Sequence, residues 1–434
     1  MTKNKVVSRR RAMWAWALWD WAEQPYPTII QTFIFATYIT SSYFGDPDTL
    51  SAQLGIAGAI AGVAVALTAP IFGRRSDDAG NRKKWLLINS GFLIGIMVAS
   101  YFVAPSPEFF LFGLVLYSLG SIAQETALIN YYAMLKQVTT PKNMGKVSGY
   151  AWGLGYVGGI LLLLISLVGF VLPDHAWLGI SSENAENIRV LFLFAAAWML
   201  IFTIPLALWV PEVPATSSQK VSILASYKDL FAQVKDLSKR SPDALKFLIA
   251  SAVYRDGLAG VFTFGAILGS VAFGFSREGV IFFGIAANIV AGIGAAVGGV
   301  LDDRIGTKRT IVGSLGGLVI AGICVFAFAD LGQMTYWIGG LALCLFVGPA
   351  QASSRTFVAR FTPEGREGEL FGLYQTTGRA ASFLSPTLWS ISLGAAAAAG
   401  IENTAIYGII GIVLVLIVGL VMLLRVSNAP KILD

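Results

Sequence analysis

The sequence predicts an all-α membrane protein, with twelve transmembrane helices arranged as two pseudo-symmetric six-helix bundles. Composition is the first reason. Of 434 residues, 56% are hydrophobic and only 13% are charged, and the mean hydropathy is +0.69. A soluble domain carries about 25% charge. A span needs about 20 apolar residues, so twelve spans use roughly 240 and leave enough for short loops. The placement of the basic residues is the second reason, and an internal repeat is the third.

Hydrophobic runs place helices near 14–43, 51–73, 85–104, 109–137, 147–172 and 188–210, then near 245–273, 277–301, 310–331, 334–361, 368–398 and 402–425. Assigned to alternate sides, the loops separate by charge. One side takes Lys3, Lys5, Arg9, Arg10 and Arg11, then Arg74, Arg75, Arg82, Lys83 and Lys84, and later groups around Lys142, Lys228, Lys239, Arg304, Lys308 and Arg425. The other side holds only Arg189 and Arg277, among several acids. By the positive-inside rule the basic side is cytoplasmic, which puts both termini and the central loop there. The expected setting is a bacterial plasma membrane. No small-residue cleavage site follows the basic start, so the first helix is expected to stay uncleaved. The net charge of +6 is thus a topology signal and argues against a nucleic-acid partner.

The chain also repeats itself. After the second helix stand Gly73, Asp77, Gly80 and Arg82; after the eighth stand Gly299, Asp303, Gly306 and Lys308, each displaced by 226 residues. A second echo pairs Thr140-Pro141, Gly145 and Gly149 with Thr362-Pro363, Gly368 and Gly372. Two six-helix units, 1–210 and 245–434, joined by a polar linker at 211–244, account for both echoes. In the linker, Val221, Leu224, Tyr227, Phe231, Val234 and Leu237 fall at helical spacing. An interfacial amphipathic helix and a plain connector are both open there.

The repeated loop has an electrostatic logic. Asp77 or Asp303 can accept the unpaired N–H groups of a nearby helix start, where the macrodipole favours an anion. Gly80 and Gly306 supply freedom for a tight reversal, and Gly73 and Gly299 allow close helix approach. Arg82 and Lys308 can hold carboxylates. The expected result is a latch that favours one conformation over another; the alternative is a basic topology anchor with a turn.

These paired loops and the two-half layout resemble the major facilitator superfamily over nearly the whole chain. Finer motifs are similar to the "unknown major facilitator" family, related to the vacuolar amino-acid effluxers of fungi. They are Trp19-Asp20-Trp21-Ala22 with Tyr26, then Ser148-Gly149 with Trp152, Gly155-Tyr156 and Gly158-Gly159. A third is Gly348-Pro349-Ala350-Gln351-Ala352-Ser353-Ser354-Arg355, continuing to Gly365-Arg366-Glu367 and Phe371-Gly372 with Tyr374. The resemblance implies that helices 1, 4, 7 and 10 line a central cavity.

The intramembrane charges can be found without it. They are Asp20 and Glu23 in helix 1, Glu125 in helix 4, Arg255 and Asp256 in helix 7, Arg355 in helix 10 and Arg379 in helix 11. All but Arg379 fall on the implied cavity helices. An acid near the bilayer centre costs roughly 2.5–3.5 kcal/mol, so these groups are expected to face water and solute, with Arg255 near Asp20. Asp20, Glu23 and Gln24 share one helix face. Pro25 and Pro27 just beyond predict a kinked or unwound stretch lining a wet cavity. A carboxylate there can carry a proton. Glu125 is expected to gate or to pair with Arg379, and Arg355 to snorkel toward the headgroups. Tyr26 and Tyr254, with Trp19, Tyr131, Tyr132, Trp152 and Tyr374, are pocket candidates or packing residues. Gly149, Gly153, Gly155 and Gly159, and Gly294 with Gly298, read as surfaces on which helices approach and rock.

The function read from this pattern is secondary transport by alternating access of a small polar or zwitterionic solute, with protons as the candidate coupling ion. The family resemblance points to amino acids and to export. Efflux of amphipathic drugs or lipid-like molecules is the rival within that class, and a non-transporting receptor or scaffold on the same fold is the rival outside it. An enzyme is disfavoured. There is no large aqueous loop, no Walker motif and no His/Cys cluster, since His175 is the one histidine and Cys324 and Cys344 lie in apolar runs. No cofactor or metal is called for. The expected partners are the lipid bilayer, a small-molecule solute and protons, with a monomer as the functional unit.

Overall fold

The computed structural model of the protein describes residues 8–172, 177–213, 215, 235, 239 and 241–427. The amphipathic stretch expected at 221–237 falls almost wholly outside the described residues, and His175 lies outside them too. The first span is α1 (Arg9–Ala22), a π-helical segment (Pro25–Phe33) and the short α2 (Phe35–Ile39). The N-half continues with α3 (Pro47–Asp78), α4 (Arg82–Ser100), α5 (Phe110–Ala133) followed by α6 (Leu135–Val138), α7 (Met144–Ser166) and α8 (Glu186–Trp209). The C-half comprises α9 (Pro242–Ile267), α10 (Arg277–Ile305), α11 (Thr307–Ala327), α12 (Gln333–Phe361), α13 (Glu367–Ala381) with α14 (Leu384–Ala398), and α15 (Gly408–Leu424).

Among the described residues, nine helices are long and apolar enough to cross a membrane. The other three spans fall short for visible reasons. The first is interrupted by acids and prolines, α4 opens on Arg82, Lys83 and Lys84, and the eleventh is broken between α13 and α14.

Both interruptions can be traced bond by bond. Proline has no N–H, so Pro25 leaves the carbonyl of Trp21 without its helical donor. The indole N–H of Trp198 on α8 fills that role at 3.1 Å. Pro27 likewise frees the Glu23 carbonyl, which accepts Tyr26 N–H at 3.1 Å. Beyond it the ladder widens to a π register, with Ile34 N–H on Ile29 O. In the eleventh span, Pro386 cannot donate back to Ser382. The N–H of Ser385 turns instead to the Asp256 carboxylate of α9, at 2.5 Å.

The two halves meet along α7 with α10 and α3 with α13 on the basic-loop face. Backbone touches backbone there. A Cβ on Gly73 would stand 1.9 Å from Gly368 O, one on Gly149 2.3 Å from Ala295 O, and one on Gly299 2.4 Å from Gly145 O. Farther from that face, the α3–α13 pair is also held by Thr376 Oγ1 donating to Ala66 O at 2.9 Å. Gly155 and Gly159 face α1 at Asp20 and Gln24, and Gly294 and Gly298 pack on Leu345 and Pro349 of their own half. Gly155, Gly159, Gly294 and Gly298 thus allow close helix approach within a half and not between the halves.

The motif expected as a loop is mostly helix: Gly73 and Asp77 lie in the last turns of α3, and Gly299 and Asp303 in those of α10. Only Gly80 (φ 58°) and Gly306 (φ 96°) take the left-handed backbone that favours glycine. Asp77 reaches across to α13 and accepts the N–H groups of Gly368 and Glu369, both at 3.0 Å. Asp303 reaches the other way to α7 and accepts Gly145 N–H at 2.9 Å and Lys146 N–H at 2.8 Å. Arg82 bridges Asp77 (2.6 Å) to Glu367 (2.5 Å) with all three side chains buried. On the other side, Arg360 holds Asp302 and Asp303 at 2.9 and 2.8 Å. Lys308, expected in this cluster, is elsewhere. Its ammonium donates to the carbonyls of Leu424 and Val426 at the end of α15, as Lys83 does to Ala207 and Val210 at the end of α8.

This packing makes Gly73→Ala a test of the closed interface. The added methyl costs about 1–3 kcal/mol, and only while α3 and α13 are in contact. With Cys324 and Cys344 replaced, a cysteine at buried Ala352 is expected to react faster with an impermeant maleimide from the basic-loop face in the Gly73→Ala variant. Equal rates in both backgrounds would show that closure does not need this contact.

Candidate functional site

The polar side chains expected within the membrane sort into two clusters. In the first, Arg355 of α12 is driven out of its own half into the N-half. Its Nη1 donates to Asp20 Oδ2 at 3.2 Å, its Nε to Ser148 Oγ at 2.9 Å and its Nη2 to Ser148 O at 2.8 Å. The rings of Trp16, Tyr131, Tyr132 and Trp152 surround the guanidinium at 5.0–5.6 Å. Arg355 is 1% exposed. It therefore does not snorkel, and it, not Arg255, is the partner of Asp20. The physical reason is saturation: aromatic faces, a carboxylate and a serine replace its water.

Glu23 stands one turn farther along α1 and is treated differently. It is buried, its Oε2 accepts from Gln124 at 2.7 Å, and its Oε1 accepts from Gln24 at 3.2 Å. Among the described residues it forms no ion pair. It can gain or lose a proton without breaking one.

The second cluster lines a pocket of about 240 Å³ between the halves. Glu125 of α5 pairs with Arg379 of α13 and accepts Gln375 Nε2 at 2.6 Å. Gln375 in turn accepts Arg255 Nη2 at 2.9 Å, and Arg255 Nη1 donates to Tyr374 O at 3.0 Å. The guanidinium of Arg255 lies 3.7 Å over the Tyr374 ring. Arg255 is thus held by neutral groups and has no acidic partner among the described residues. Asp256, also on the pocket wall, accepts the Ser385 N–H and has no basic partner among the described residues. The pocket's Trp152 presents a buried indole nitrogen with no hydrogen-bond partner.

A larger cavity of about 700 Å³ lies between the π-helical segment, α7, α9, α10, α12 and α15, with a mostly apolar wall that includes Gln24, Thr28, Tyr156, Phe262 and Cys344. Tyr156 stands between the two spaces, with its ring stacked near Phe262 and its hydroxyl 3.5 Å from Gln351 of the charged pocket.

Not every expected residue reaches these spaces. Tyr26 is fully buried against α5, donating to Tyr117 O at 2.7 Å and pressed on Gly120. Tyr254 is fully buried with its hydroxyl 2.6 Å from Ser354. Both are packing residues, because their hydroxyls are consumed within their own halves. Gln124 and Gln375 carry no signal in the sequence, and Ser148 and Gln351 stand there only as parts of motifs. All four are neutral, and the charged partners of Ser148, Gln124 and Gln375 and the pocket position of Gln351 appear only in the fold.

The comparisons with known proteins agree with this architecture. The "Vacuole effluxer Atg22 like" family matches residues 136–431. An uncharacterized MFS-type transporter of Bacillus subtilis, YxiO, is 28% identical over 417 residues, covering 94% of this chain and 93% of the relative. Autophagy-related protein 22-1 of Neosartorya fischeri is 22% identical over 269 residues, covering 57% of this chain. The chain spans 43% of that fungal protein's length. Among solved structures, the proton:xylose symporter XylE, a major facilitator protein, superposes with a TM-score of 0.73 over 98% of this chain and 97% of its own, at 13% identity.

The Asp20–Arg355 pair gives a direct energetic expectation. Removing one member of a buried ion pair costs about 3–5 kcal/mol, because the other charge stays buried alone. Asp20→Asn and Arg355→Gln are each expected to lower the apparent melting temperature in detergent markedly, and the double variant to lose less than the two losses combined. Strict additivity would mean that the two side chains do not interact.

Proposed function

We propose, from the premise that this chain belongs to the Atg22-like vacuole effluxer family of major facilitator transporters, that it moves a small zwitterionic solute by alternating access. The observation that carries the reading is the pocket between the halves, where Arg255 and Asp256 each lack an oppositely charged partner among the described residues. A solute bearing both an anion and a cation satisfies both, whereas a neutral sugar or a simple ion leaves one unmet. Amino acids are the smallest solutes of that kind, and the adjoining apolar cavity suits those with apolar side chains. The basic-loop face is closed by the Asp77 and Asp303 contacts, and we read this as a state that opens to the opposite side. With the positive-inside rule, the termini are cytoplasmic, the latches are the cytoplasmic gate and this state faces outward. Release on that side is export across the plasma membrane.

Glu23, held by amides alone, is the proposed proton site, and the Asp20–Arg355 pair is the inner tie that must break when the latches open. A second reading, efflux of an amphiphile, is favoured by the size and apolar wall of the 700 Å³ cavity.

Counterflow of radiolabelled neutral amino acids in proteoliposomes tests the first reading. Loss of a charge-assisted hydrogen bond is worth about 1.5–3 kcal/mol, so Arg255→Gln is expected to raise the KM about tenfold or more. Asp256→Asn should raise it in the same direction. Glu23→Gln is expected to keep counterflow while abolishing uptake driven by a pH gradient. Amino-acid counterflow indistinguishable from empty liposomes, with an amphipathic dye moved instead, would establish the second reading.

A further inference from the structure

A groove on the basic-loop face stands apart from the transport path. It lies between the start of α1 and the end of α8, has a volume of about 380 Å³, and is lined by Arg10, Arg11, Trp14, Leu18, Pro205 and Trp209 among others. Its charge is of one sign. Arg10 and Arg11 are exposed, no carboxylate lines the groove, and neither arginine forms an ion pair among the described residues. The Arg11 guanidinium is positioned by the Trp209 ring, 5.2 Å beneath it. Trp14 and Trp209 are 45% and 37% exposed. They lie where the chain leaves the bilayer, since the next carbonyl after Trp209, that of Val210, is held by Lys83 of the basic α4 start at 2.8 Å. Tryptophan at this depth marks the headgroup level. Leu18 and Pro205 continue the wall as apolar surface.

We propose that this groove binds the headgroup of an anionic phospholipid in the leaflet on the basic-loop face. Arg10 and Arg11 hold the phosphodiester, and Trp14, Leu18 and Trp209 take the glycerol and the first acyl carbons. Guanidinium groups match phosphate oxygens in geometry as well as charge, and basic pockets between spanning helices hold such headgroups. A zwitterionic lipid presents the same phosphate beside a choline cation, for which the groove has no anion. The bound lipid would join the start of α1, the helix that carries Asp20 and Glu23, to the end of α8.

Native mass spectrometry of the full chain released from detergent tests this, with dioleoylphosphatidylglycerol, dioleoylphosphatidylcholine and sn-glycerol 3-phosphate as probes. The expected result is about tenfold more retained phosphatidylglycerol than phosphatidylcholine and no retained glycerol 3-phosphate. Arg10→Gln/Arg11→Gln should bring phosphatidylglycerol down to the phosphatidylcholine level, with elution profile and melting temperature unchanged. Lys142→Gln, an exposed base on the same face outside the groove, should leave the preference intact. If the double variant aggregates, Arg10→Gln alone, at a side chain with no ion-pair partner among the described residues, is expected to reduce the preference. Equal retention of the two lipids, a preference that survives the arginine substitutions, or the same loss from Lys142→Gln would overturn the site. Glycerol 3-phosphate retained as strongly as the lipid would overturn it in favour of a free-anion site.

Discussion

The N–H groups at the starts of α7 and α13 have no acceptor in their own helices, and each start is closed by a carboxylate from the opposite half. This demand for acceptors organises the contact between the bundles. A carboxylate can reach those donors only if the helices carrying it come within backbone distance, which forces glycine at positions 73, 145, 149, 299, 368 and 372. The buried arginines Arg82 and the half-buried Arg360 then settle the remaining charge. Without the close approach, the aspartates would be exposed acids at the ends of long helices and the halves would have little polar reason to meet on one face.

The same rule of satisfaction governs the interior. Arg355, Asp20 and Ser148 form a closed set inside an aromatic wall, and Glu125 with Arg379 forms another. Arg255, Asp256 and Glu23 are the exceptions, each bonded but not matched in charge among the described residues. In a low-dielectric interior such groups are costly, and they persist where an added charge or proton can complete them. Uncompensated charge, more than charge itself, sets these three groups apart from the closed sets around them.

Much of this could be read from the residues alone, and the failures share a cause. Hydropathy located the spans, and the two echoes located Asp77, Asp303 and the interface glycines. Neither signal says which element each motif touches, so nothing in the spacing showed that the aspartate echo docks on the Gly145 and Gly368 echo of the opposite half. The displacement of 226 residues matched Lys308 to Arg82, yet Arg360, from a different helix, holds the second aspartate pair. Arg355 was misread because its nearness to a helix end suggests snorkelling, while the aromatic shell that holds it comes from three separate segments. Tyr26 and Tyr254 stay open between pocket and packing in the sequence, because an aromatic hydroxyl in a span looks available until its acceptor is known. Pro25 and Pro27 predicted the break in the first span, but not that an indole from α8 would take up the orphaned carbonyl.

The crossed arrangement of the two echoes has the form of an isologous dimer interface written into one polypeptide: the aspartate of each unit grips the helix start of the other, about a pseudo-two-fold axis. Perfect symmetry would make both grips release together. Here one grip is locked by a fully enclosed arginine bridging two acids, and the other by an arginine that is partly open to solvent. The one face is therefore held by two unequal grips, one sealed from solvent and one whose guanidinium still meets water.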